Sequence, residues 1–118
     1  MEMTRTPFRT VCALALLAIG SSALAQKTYS PEELKRLVDA KKYPATAAPT
    51  TNIELLAYPA CLAKIDARLK SGGAALVSRS VVSTNVMRVE RIWLKDSAMT
   101  LTCLGADKKF ITTTAPYL

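Results

Sequence analysis

Histidine is missing from all 118 residues, which removes the commonest general base at neutral pH and the commonest metal ligand. Cysteine is scarce. Cys12, Cys61 and Cys103 are the only three, and none stands in a Cys-x-x-Cys spacing, so neither a thioredoxin-like redox pair nor a structural zinc site can be written. The serines lack both the Ser-x-x-Lys spacing and the Gly-x-Ser-x-Gly elbow of acyl-transfer enzymes. Of four glycines, Gly72 and Gly73 are adjacent, but no Lys-Ser/Thr follows them as a phosphate loop requires. With one tryptophan and 6% aromatic residues there is no basic stripe interleaved with rings of the nucleic-acid kind. No apolar run reaches the roughly 20 residues of a membrane-spanning helix. The carboxylates Glu54, Asp66, Glu90 and Asp96 are dispersed. Nothing in the sequence joins two of them as an acid/base pair, and they read as solvated surface charges. No catalytic, cofactor-binding or metal-ligating residue is nominated, and the expectation is a protein that is not an enzyme.

The first 25 residues are what the chain has most distinctly. Arg5 and Arg9 precede a short apolar stretch, Val11 to Ile19, which runs into the small residues Gly20-Ser21-Ser22-Ala23-Leu24-Ala25. A basic start, a short apolar middle and an Ala-x-Ala end make a secretory signal peptide. Cleavage after Ala25 leaves one small domain, residues 26–118. The expected destination is the periplasm of a bacterium, or the medium if it is secreted. The cleavage point carries no cysteine, so a bacterial lipid anchor is not expected. Loss of Arg5, Arg9 and Glu2 reduces 16 basic and 9 acidic residues to 14 and 8, a net charge of +6. That excess suits loose attraction to anionic surfaces and equally serves solubility alone.

Cys12 leaves with the leader, and an exported chain with two remaining cysteines reads as a disulfide protein, Cys61 to Cys103. Closing a loop of about 43 residues stabilises by roughly 4 kcal/mol on the chain-entropy estimate.

The mature chain divides into a helical front and a strand-rich back. Tyr29-Ser30-Pro31-Glu32-Glu33-Leu34 is a dense helix start: Ser30 caps, Pro31 fits the first turn, Glu33 completes a capping box, and Tyr29 and Leu34 form a staple. Leu34, Leu37 and Val38 make a narrow apolar stripe, and Tyr43-Pro44 is the expected stop. Pro44 to Asn52 reads as an extended connector, and residues 53–58 are ambiguous between helix and strand. A second helix is predicted from Pro59 to Lys70, with Cys61, Leu62, Ile65 and Leu69 facing the core. From Ala75 onward β-branched residues dominate and turn residues recur about every ten positions, the pattern of an antiparallel meander. Strands are predicted near 75–83, 86–95, 98–104 and 110–115.

A two-residue turn at Asp96-Ser97 pairs Leu94 with Met99 and Ile92 with Leu101, and sets Glu90 opposite Cys103. Ile92, Leu94, Met99, Leu101 and Cys103 then share one face, the one Cys103 needs to reach Cys61. Alternation sends Trp93 to the opposite face with Arg91, Thr100 and Thr102, a candidate partner surface because Trp and Arg are enriched at binding hot spots. Two arrangements hide Trp93 instead. One is a bulge near Glu90 and Arg91, and the other is cover by the 44–52 connector and Pro116-Tyr117-Leu118.

The fold class expected is α+β: two N-terminal helices on one face of a three- to four-stranded antiparallel meander, stapled by one disulfide. The function expected is a non-enzymatic, exported binding module for a protein partner, such as an inhibitor or an envelope-assembly factor. A carboxylate-dependent hydrolase and a binder of anionic envelope surfaces are the alternatives. Neither a specific nucleic acid nor a membrane span is expected.

Overall fold

The computed structural model describes residues 27–73 and 76–118, and the expected leader lies outside them. Helix α1 spans Pro31–Asp39. The Ser30 hydroxyl caps it by accepting from the Glu33 amide at 3.2 Å, and Glu32 and Glu33 oppose the positive end of the helix dipole. It ends earlier than Tyr43-Pro44 predicts. Lys41 adopts a left-handed φ of 59°, and the Lys42 and Lys41 amides turn back onto the Leu37 and Val38 carbonyls at 2.9 and 3.0 Å. This is a Schellman stop, reached without the glycine that usually supplies it.

Five strands follow among the described residues, more than the three or four expected. Strand β1 is Thr50–Leu55, helix α2 is Tyr58–Gly72, and β2 to β5 are Val77–Ser83, Met87–Trp93, Ser97–Leu104 and Lys109–Pro116. All neighbours are antiparallel, in the order β1-β5-β4-β3-β2. The extra strand is the end of the stretch read as a connector plus the start of the ambiguous segment. Its threonines and Ile53 suit a pleated surface, but only pairing with β5, far away in sequence, makes it a strand.

The β3–β4 turn falls at Lys95 and Asp96, where the Leu94 amide donates to Ser97 at 2.8 Å. It sits one residue earlier than predicted. Ile92 therefore faces Met99, and Glu90 faces Leu101. Moving a turn by one residue moves the pairing by two, and an even shift leaves every side chain on its face. The inner face is consequently as expected. Cys103, Leu101 and Ile92 pack with Cys61 and Ile65 of α2, and the Cys61–Cys103 disulfide joins α2 to β4 with Cα atoms 5.9 Å apart.

The helices do not share that face. Leu34 and Val38 of α1 pack with Val77, Trp93 and Tyr117, on the side of the sheet that alternation assigns to Trp93. The chain enters there because the Tyr29 amide donates to the Lys95 carbonyl at 2.9 Å, which holds the start of α1 against the β3–β4 turn. The molecule is thus three layers deep at its α1 end: helix, sheet, helix. No helix among the described residues is long and apolar enough to cross a membrane.

Candidate binding groove

The strand registers arrange the outer face of the sheet in rows. Val77, Trp93, Ala98 and Ala115 form the row next to α1. The next row is Arg79, Arg91, Thr100, Thr113 and Thr51, and beyond it lie Val82, Val89, Thr102, Ile111 and Ile53. No carboxylate stands in any of these rows.

Trp93 does not present itself to a partner. It is 3% exposed, wedged under α1 on one side and stacked by Tyr43 on the other, with ring centroids 5.5 Å apart and planes 10° off parallel. The expectation of an exposed tryptophan anchor is therefore corrected. Burying the indole under Leu34, Val38 and Tyr43 recovers its large apolar area. The cover includes the C-terminus, as one of the two hiding arrangements required. Tyr117 is 2% exposed, and its hydroxyl donates to the Leu94 carbonyl at 2.7 Å. Burial, then the charges of Tyr29 and Asp96, push the Tyr117 phenol well above its ordinary pKa. The bulge that exists lies in β2, where Val81 is the extra residue between Ser80 and Val82, not in β3.

What remains open beside Trp93 is a groove of about 350 Å³. Arg91, Thr100 and Thr113 form its floor, and Tyr43, Pro44, Thr46 and Pro49 wall it. The wall is pinned to the C-terminal segment: Ala47 donates to the Pro116 carbonyl at 2.8 Å and Leu118 to the Ala45 carbonyl at 3.0 Å. Two prolines with fixed φ add to its rigidity. Three of the four sequence-nominated surface residues, Arg91, Thr100 and Trp93, therefore line one concave site. Trp93 is its buried end, and Thr102 stands one row further out. Pro44, Thr46 and Pro49 belong to the 44–52 connector, which the sequence offers as cover for Trp93 but not as the wall of a site, because a small, uncharged, Pro- and Thr-rich run reads as a spacer. Its one available signal was the aromatic-proline pair Tyr43-Pro44.

Charge distinguishes the two arginines of the middle row. Arg79 is held by Asp39 of α1 through a short ion pair. Arg91 is exposed and makes no ion pair among the described residues. It offers a planar, always-charged fork suited to a carboxylate.

The inner face holds a different cluster. Arg88 meets Asp66 at 2.9 Å and Glu90 at 3.4 Å, so two carboxylates that look dispersed in sequence converge on one guanidinium. Glu90 is 5% exposed and not the solvated charge expected. Desolvation pulls the Arg88 pKa down, but hydrogen bonds and charge from Asp66 and Glu90 outweigh it, and the net shift is upward. Both acids are engaged by the same cation, so the buried Glu90 is paired with a guanidinium and not left isolated. A smaller hollow of about 230 Å³ lies between Lys64 and Arg68 of α2 and Met99, Leu101 and Phe110. Lys64 is already committed to Glu54 at 2.8 Å. Among the described residues no three of His, Cys, Asp or Glu are grouped as metal ligands. Comparison with protein-family models, curated proteins and solved structures finds no match to this chain.

Proposed function

We propose that this protein is an exported, non-enzymatic binding module whose outer-face groove takes an extended, acidic segment of a partner protein. The observation that carries this is Arg91: an exposed guanidinium that makes no ion pair among the described residues, on the floor of a rigid groove whose lining contains no carboxylate. A partner carboxylate meets the Arg91 fork. Thr100 and Thr113 supply hydroxyls to its backbone, and Pro44, Pro49 and Tyr43 supply apolar contact. Export is supported by the leader sequence and by a buried disulfide, which suits an oxidising compartment.

Selection of a displayed random peptide library against the disulfide-intact protein tests this reading. The expected result is enrichment of sequences carrying Asp or Glu next to an apolar residue, with binding lost in Arg91→Glu. Enrichment that ignores Arg91, or no enrichment, contradicts it. A partner recognised in this way also weakens with salt less steeply than binding to an anionic surface, which collapses between about 50 and 200 mM.

A further inference from the structure

The two edges of the sheet are not equally protected. Edge strand β2 carries a bulge at Val81 and an arginine, Arg79, devices that discourage edge-to-edge pairing. Edge strand β1 has none of these. It is six regular residues, Thr50–Leu55, with no bulge, proline or lysine, and five of the six are exposed. It also carries two of the protein's large exposed apolar residues, Ile53 at 57% and Leu55 at 76%.

The hydrogen-bond phase of β1 fixes which of its backbone groups are open. The Leu56 amide donates to the Lys108 carbonyl at 2.8 Å, extending the β1–β5 ladder in which Leu55 faces Lys109. Backbone groups in an antiparallel ladder point to the partner at alternate residues. Glu54, Asn52 and Thr50 therefore bond to β5, and Thr51, Ile53 and Leu55 direct their N–H and C=O groups outward. Alternation also puts the side chains of these same three residues on the outer face, in line with Ile111 and Thr113.

From this phase and exposure we infer that β1 is a self-pairing edge, and that its occupant is β1 of a second copy of this chain, joined about a two-fold axis at Ile53. The strand is complementary to itself in that register. Ile53 forms a hydrogen-bonded pair with its mate, and Thr51 faces Leu55 on both sides of the axis, so every outward group of the three residues is satisfied. The two Ile53 side chains become neighbours, and the apolar row from Val82 to Ile53 continues into the second sheet. Glu54 lies beside Asn52 of the mate, so no like charges oppose each other. A two-fold contact of this kind closes on itself, whereas β1 on β2 would grow without limit and is blocked by the Val81 bulge. A six-residue edge buries less than the roughly 1,200 Å² of a stable complex, so the dimer forms only at high concentration. The inference does not depend on the groove reading, and salt separates the two. Screening the net positive charge strengthens this dimer but weakens an acidic segment at Arg91.

Sedimentation equilibrium of the disulfide-intact protein between about 10 μM and about 1 mM tests it. Monomer passing reversibly into dimer is expected. Ile53→Pro removes only an outward N–H, leaves the β1–β5 ladder intact, and weakens association about tenfold or more, as loss of two hydrogen bonds across the axis implies. Leu55→Lys, which adds an edge lysine without touching the backbone, does the same. In Ile53→Cys a short bis-maleimide links two copies, since paired Cα atoms lie about 5.5 Å apart, and in Val81→Cys it does not. A monomer across the whole range overturns the inference. So does growth beyond dimer, a dimer indifferent to Ile53→Pro and Leu55→Lys, or cross-linking at Val81.

Discussion

At the scale of single residues, neighbours in sequence carry opposite duties. Trp93 belongs to the core and Arg91, two positions earlier on the same face, belongs to the surface. Truncating them is therefore expected to separate folding from the proposed recognition. Trp93→Ala is expected to cost about 3–5 kcal/mol by emptying the space under α1 and Tyr43. Arg91→Ala is expected to stay within about 0.5 kcal/mol of the native stability. Urea unfolding of the two variants checks both, and the native emission should be blue-shifted and insensitive to quencher.

Tyr117 links a single side chain to the pH range of the fold. Its phenol is buried and its pKa is raised above the ordinary value, so the unfolded chain loses that proton near pH 10 while the folded chain keeps it. Stability from this group is fully present below about pH 10 and declines as the pH rises above it. Melting curves across that range should show the loss. Tyr117→Phe should flatten the alkaline decline and lower stability at neutral pH by about 1–3 kcal/mol, because the Leu94 carbonyl is left without its donor.

At the scale of elements, α1 is the clearest example of a signal that was legible at one end only. Ser30, Pro31 and Glu33 placed its start correctly, because capping chemistry is local. Its end is a left-handed lysine, which has no sequence signature. A residue with a Cβ at that position is strained by about 1 kcal/mol. Lys41→Gly, which meets the Schellman geometry without that strain, should raise stability by about 0.5–1 kcal/mol, read as a higher midpoint in urea.

The sheet shows the same division between local and distant causes. Period-two alternation assigned the faces of β3 and β4 correctly even though the turn was placed one residue late. Alternation is robust to that error in a way that exact pairing is not. Strand β1 was hidden because its alternation amounts to two apolar residues, Ile53 and Leu55, and its partner lies near the other end of the chain. The groove wall was legible only as possible cover for Trp93, for a related reason. Tyr43 to Pro49 has no periodicity, and its position follows from bonds to Ala45, Ala47 and Thr46 made by the C-terminal residues.

At the scale of the molecule, the α1 face and the α2 face have separate cores. Leu34, Val38, Val77, Trp93 and Tyr117 make one, and Cys61, Ile65, Ile92, Leu101 and Cys103 make the other. The disulfide clamps α2 to β4, the middle strand of five. A domain this small has little stability to spare, about 5–15 kcal/mol at most, and the bond supplies roughly 4 kcal/mol of it. Both cysteines are at most 1% exposed, so the native protein should resist thiol alkylation. The double variant Cys61→Ser, Cys103→Ser should melt far lower than the parent. A parent that alkylates fully without denaturant would contradict the pairing.

With α2 covering the inner face and α1 only one end of the outer face, the open rows beside Trp93 are where the proposed partner segment is placed. Backbone amide shifts during titration of the labelled protein with a library-selected acidic peptide test that claim most directly. Shifts are expected at Tyr43, Thr46, Arg91, Thr100 and Thr113, with α2 and the strand positions beneath it unmoved. Shifts centred on Lys64, Arg68 and Phe110, or spread evenly over the basic surface, would contradict it.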